Sequence, residues 1–181
     1  NFGSLDNKIN THQLQFQHLL NKWWLAQITT KHDAVESISE NYGSKNYVLN
    51  NLTIHPRISY LFSQNARIEF FYEWKNKENT KGDLETLMQH RIGTAFNWST
   101  NQKFTLNGEF SFYNNKFEGN PLSAVAYQML EGLQPGKNIT WRVLFQRNLT
   151  KYLDANINYQ GRTSETAKTI HTGSIQLRAF F

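Results

Sequence analysis

Lys168 to Phe181 reads KTIHTGSIQLRAFF, a strict two-residue alternation that stops on an aromatic residue. Side chains alternate across a pleated strand, so Ile175, Leu177, Ala179 and Phe181 fall on one face and Ser174, Gln176 and Arg178 on the other. A strand with one apolar and one polar face needs two different surroundings. A soluble sandwich would have to supply a second layer over the apolar face, and it offers little to cover a terminal Phe181. In a membrane-spanning β-barrel the apolar face meets lipid and the polar face meets the lumen, and no second layer is needed.

The same period runs through most of the chain. Strands are expected over 9–20, 23–38, 47–62, 66–75, 84–98, 103–114, 139–146, 152–162 and 168–181. The fourth is the cleanest, with Ile68, Phe70, Tyr72 and Trp74 against Arg67, Glu69, Glu73 and Lys75, and only Phe71 out of step. Pro56 shares the apolar parity of the third strand. Having no N–H for a ladder, it predicts a bulge or bend there. Short turns (21–22, 63–65, 99–102, 147–150) alternate with longer polar loops. The longest loop holds a helical pattern over 121–131, with Asn120 as cap, Pro121 in the first position, and Leu122, Val125, Ala126, Met129 and Leu130 at helical spacing before Gly132. That helix is expected over the barrel mouth or its rim, or as a docking element for a partner protein. Aromatic residues gather where segments end: Trp23, Trp24, Tyr60, Phe62, Phe96, Trp98, Phe104, Phe145, Tyr152 and Phe181 by the short turns, and Tyr47, Trp74, Phe112 and Trp141 by the long loops. Two such belts are what girdles at the two membrane interfaces require. The expected fold is all-β: one antiparallel transmembrane β-barrel domain over 1–181, of about nine strands, with a short extracellular-loop helix.

Composition fits this reading. No run reaches the roughly 18 apolar residues of a membrane helix, and a mean hydropathy of -0.63 is compatible with strands that spend alternate residues on a lumen. With no cysteine among the 181 residues there is neither a disulfide frame nor a cysteine metal site. The net charge of +5 is dispersed rather than bunched, which argues against nucleic acid as a partner. Of the histidines, His12, His18, His90 and His171 share the apolar parity and only His55 clearly faces the polar side. Ser59 lies on the face of His55, but two residues of one strand do not make a nucleophile, a base and an orienting group. The chain is therefore expected not to be an enzyme, and to hold no cofactor and no metal.

Charges of polar parity define the candidate lumenal wall. Lys31, Arg57, Arg67, Lys75, Arg91, Arg142 and Arg178 face inward with Asp33, Glu69, Glu73, Glu85, Glu109 and Asp154. Because the signs nearly cancel, facing strands should pair them into ladders that offset desolvation. That predicts a braced polar wall rather than a pore selective for one sign of charge.

Two stretches carry a more specific signal: MLEGLQPGKNITW (Met129 to Trp141) and GRTSETAKTIHTGSIQLRAFF (Gly161 to Phe181). They resemble the C-terminal part of large outer-membrane β-barrel proteins of the Bacteroidetes type, and looser barrel periodicity extends the likeness over the rest. The resemblance implies residence in the bacterial outer membrane as a multi-pass barrel, with short turns periplasmic and long loops outside. It also implies that Phe181, Ala179, Leu177 and Ile175 form the signal read by the barrel assembly machinery. The implied partners are the lipid bilayer, lipopolysaccharide, that machinery, and further strands or subunits of a larger complex. The expected role is a barrel component of a transport, protein-translocation or assembly system. The alternatives are the C-terminal strands of a TonB-dependent-type transporter or a closed structural or adhesive barrel. A soluble lipocalin-like binder is disfavoured by the lack of an early G-x-W and of disulfides, and by the two aromatic belts. Nine crossings are an odd number, whereas single-chain bacterial barrels have an even one, so the chain is expected to be the C-terminal portion of a larger barrel.

Overall fold

In the computed structural model, which describes residues 5–40, 46–100 and 103–180, the chain runs up and down as nine antiparallel strands. They are β1 (Leu5–Leu19), β2 (Trp24–Ser39), β3 (Tyr47–Ser63), β4 (Ala66–Asn79), β5 (Thr86–Thr100), β6 (Phe104–Glu118), β7 (Gly136–Thr150), β8 (Leu153–Ser164) and β9 (Ile170–Ala179), with α1 (Ala124–Met129) between β6 and β7. Each strand pairs with the next in sequence, in the order β1 to β9. The sheet is open, with β1 and β9 at its two ends.

Strands of 10 to 17 residues are long; a globular strand averages about 5–6 residues, and about 9–11 suffice to cross a bilayer. Cross-strand register turns the alternation into continuous rows. One row of the outer face joins Ile58, Phe70, Thr94, Phe110 and Trp141. No described residue packs over this face: Phe70 and Phe110 are each 48% exposed and Ile92 60%. Soluble monomers rarely leave so large an apolar patch open. The inner face reverses the pattern of a soluble domain, burying Ser59, Glu73, Lys77, Gln89, Ser111 and Asn138.

Two local expectations are corrected, and the irregularity at Phe71 is explained. Pro56 causes no bulge: pairing with β4 skips His55 and Pro56 and resumes in the same register, while register shifts fall at Leu61/Ser63 and Asn148/Thr150. The proline removes a rung without adding a residue, so the strand stays straight in register. Phe71, out of step in the apolar pattern, lies on the inner face and is nearly buried. Its ring meets His55 edge-on at 5.5 Å and lies 4.7 Å beneath the Arg91 guanidinium. The helix is shorter than expected and starts later, because Ser123 and not Asn120 caps it, accepting a hydrogen bond from the Ala126 N–H at 2.9 Å. Asn120 instead closes the preceding turn by accepting from Leu122 N–H.

The helix α1 lies against the inner face. Val125, Ala126, Met129 and Leu130 pack onto inner-face Leu49 and Leu87, flanked by Val35, Tyr47 and Phe117. Tyr47, expected in an aromatic belt, belongs to this cluster. The apolar residues of inner parity near the long-loop end are thereby explained: they are the seat of the loop, and they bury its apolar stripe out of water.

Candidate functional site

The candidate site is the inner face of β2 to β9, with the 119–135 loop folded against it. At its centre Glu73 lies 3.3 Å from Lys75 and 3.7 Å from Arg91. Arg91 reaches across to Glu109 at 2.6 Å and donates to Ser111 Oγ. Its guanidinium stacks between Phe71 and Tyr113, which fixes its plane. Toward the short-turn end Glu69 gathers Arg67 at 3.3 Å and Arg57 at 4.0 Å, and accepts from Ser59 Oγ. On β2 Asp33 holds Lys31 at 2.8 Å and accepts from Thr11 Oγ1 at 2.6 Å.

Lys31, Asp33, Arg57, Arg67, Glu69, Glu73, Arg91 and Glu109 are thus drawn into ion pairs on one face. Arg142, Asp154 and Arg178 share that face but make no ion pair among the described residues, although Asp154 and Arg178 are cross-strand neighbours. Ile175, Leu177 and Ala179 fall on the outer face opposite Ile157, Ala155 and Leu153. Phe181 lies outside the described residues.

Two charged residues at the heart of the site escaped the sequence reading. Lys77 was missed because the apolar alternation fades after Lys75, whereas β4 continues to Asn79. Glu131 was missed because a loop carboxylate carries no periodic signal. The chain brings them together: buried Lys77 donates to Glu131 Oε1 at 2.7 Å and to the Met129 carbonyl at 2.8 Å, and Lys75 reaches the same carboxylate at 3.1 Å. Burial alone would raise the Glu131 carboxyl, but the ammonium groups of Lys75 and Lys77 overcome it and lower it from 4.5 to about 2. Amides complete the attachment. Gln89 donates to Asn115, Asn115 and Asn138 both donate to the Gln134 carbonyl, and Arg162 donates to the Gly132 carbonyl. Glu131 itself is left-handed, at φ 56°, and that turns its side chain back toward β4 beside Gly132 at φ 75°.

His55 lies 3.8 Å from Glu73, too far for a hydrogen bond, and Ser59 donates to Glu69 rather than to a histidine. Among the described residues no three His, Asp or Glu side chains converge as metal ligands. The remaining histidines are on the outer face: His12 opposite His32, and His90 and His171 bonded through Nδ1 to the hydroxyls of Tyr72 and Tyr159. Aromatic contacts run along the short-turn end, from Trp24 and Tyr60 at 4.8 Å to Trp98 and Phe104 at 4.9 Å.

No protein-family model and no curated protein matches this sequence. Solved structures do. The loop L8 deletion mutant of OmpT, an outer membrane protein of Vibrio cholerae, superposes with a TM-score of 0.64 at 9% identity, covering 94% of this chain and 53% of that one. The trimer form of in-vitro folded OmpT gives 0.57 at 9% identity, over 93% and 54%. A NanC porin structure covers 99% and 98% at 12% identity, but its TM-score of 0.44 is too low to bear on the fold. The chain spans about half the length of the OmpT structures it matches. The likeness to OmpT also overturns the expectation that the chain is no enzyme: a fold shared at 9% identity is not tied to one activity, so the fold supplies no ground for excluding catalysis. What the superposition establishes is the architecture: this chain has the fold of an outer-membrane β-barrel wall.

Proposed function

We propose that the chain forms part of the wall of a bacterial outer-membrane β-barrel that passes polar solutes, and that further strands complete the barrel. One observation carries this reading. A single sheet turns an uncovered apolar face to one side and a paired, partly buried charged face to the other, an arrangement stable only between lipid and an aqueous or protein-filled lumen. The free edges of β1 and β9 support the second clause, because backbone groups unpaired in hydrocarbon cost several kcal/mol each. A structural or adhesive barrel closed by these nine strands alone would need β1 bonded to β9, and they lie at opposite ends of the sheet. Nine strands that cover about half of the OmpT chains agree with a complete barrel of roughly 16–18 strands.

In this reading the loops at the α1 end face outward toward lipopolysaccharide and the short turns face the periplasm. Ile175, Leu177, Ala179 and Phe181 present the strand read by the barrel assembly machinery. The charges from Lys31 to Arg178 line the lumen. Fractionation and gel mobility test the reading. The protein should sit in the outer-membrane fraction, and its band should shift on boiling, as folded barrels do. A soluble, detergent-independent protein would refute it. A single chain that closes by itself into a nine-strand barrel would refute the need for further strands.

A further inference from the structure

The inner wall is lopsided in charge. On β4 and β5 every inward cation holds a carboxylate, and this leaves β7 and β8 short of them. Glu109, the cross-strand neighbour of Arg142, is taken by Arg91 at 2.6 Å. Glu131 is taken by Lys77 at 2.7 Å and Lys75 at 3.1 Å. Exposed Arg142 has no ion-pair partner among the described residues, and exposed Arg162 uses one N–H on the Gly132 carbonyl at 2.8 Å.

These two guanidinium groups are neighbours. Arg142 stands opposite Gln160 and Arg162 opposite Thr140, which makes them a diagonal pair with backbones about 7–8 Å apart, within reach of one small anion. Both line a cleft of about 470 Å³ beneath the 131–133 segment, together with Tyr113, Thr140, Gln160 and Thr172. Guanidinium groups bind carboxylate and phosphate oxygens through paired N–H donors, and the hydroxyls and the amide supply neutral donors beside them. Both carboxylates facing the cleft are already neutralised, so a bound oxyanion meets two unspent positive charges rather than repulsion.

We propose that this cleft is a binding subsite for small solutes bearing a carboxylate or phosphate group, with Arg142 and Arg162 as the charge partners. The proposal rests on the barrel reading above, and the two fail differently. Calorimetric titration of the assembled, heat-modifiable barrel in detergent uses inorganic phosphate and glucuronate as probes and glucose as the neutral control. Saturable binding of at least one anion, weakened about tenfold or more in Arg142→Gln and in Arg162→Gln and unchanged in Lys22→Gln in the exposed β1–β2 turn, is expected from the loss of one charge-assisted contact. No saturable anion binding by the folded barrel overturns the proposal, as does equal binding of glucose, or binding that the two arginine variants leave intact or that Lys22→Gln weakens equally. If no heat-modifiable barrel is found at all, the barrel reading itself falls.

Discussion

Arginine in place of Phe70 tests the facing of the sheet directly. Phe70 is opposite Ile58 on one side and Thr94 on the other, in the middle of an outer-face row that continues to Phe110. It is 48% exposed, with no described residue layered above it. A guanidinium there would lie near mid-membrane, where transfer into a barrel's lipid face costs about 2 to 4 kcal/mol. Since about 1.4 kcal/mol is a factor of ten, the ratio of folded to unfolded protein should fall roughly 30- to 1000-fold. The matched control is Asn156, of opposite parity, which lies between Gln146 and Gln176 on the inner face and whose side-chain oxygen is buried without a partner. Arginine there gains polar neighbours and should cost less than about 1 kcal/mol. Urea unfolding from vesicles, followed by the loss of the heat-modifiable band, measures both. Equal losses at the two sites would refute the assignment of faces, whatever the chain's role.

The loop and its seat give two more tests, and the middle of the inner wall gives a third. Met129 is fully buried against the wall, so Met129→Ala should loosen the loop by about 2 to 5 kcal/mol and open 119–135 to protease while the strands stay protected. A carboxyl lowered from 4.5 to about 2 in the docked loop contributes stability that is fully present above pH 4.5 and lost as pH falls toward 2. Glu131 is about half exposed, so solvent screening limits that contribution to about 1 kcal/mol. Protease sensitivity of the loop should therefore rise as pH falls through this window in the wild type, and Glu131→Gln should be insensitive to it. Gly93→Ala would place a Cβ 2.5 Å from the Phe110 carbonyl oxygen and from the Phe71 ring, so it should cost about 1 to 3 kcal/mol by equilibrium unfolding. Free tolerance of alanine would mean that Phe71 does not lie over Gly93.

The sequence by itself determined the strands and their faces. Period-two alternation is a local property, and a slip of one residue would put Phe70, Ile92 and Phe110 on the charged side, so the register of β4, β5 and β6 is dictated by the pattern itself. It also placed His55 and the charges from Lys31 to Arg178 on one side. Tertiary structure alone decided what those charges do. Arg142 stands next to Glu109 in register and yet loses it to Arg91, because the Arg91 guanidinium is held in place by Phe71 and Tyr113. Lys77 is buried beside Glu131, a residue 54 positions away on a loop whose helical pattern said nothing of where it would pack. Alternation states which side of a strand a residue takes. It carries no information about contacts between elements distant in sequence, and so the apolar inner residues Leu49, Leu87 and Tyr47 became intelligible only when α1 was seen to rest on them.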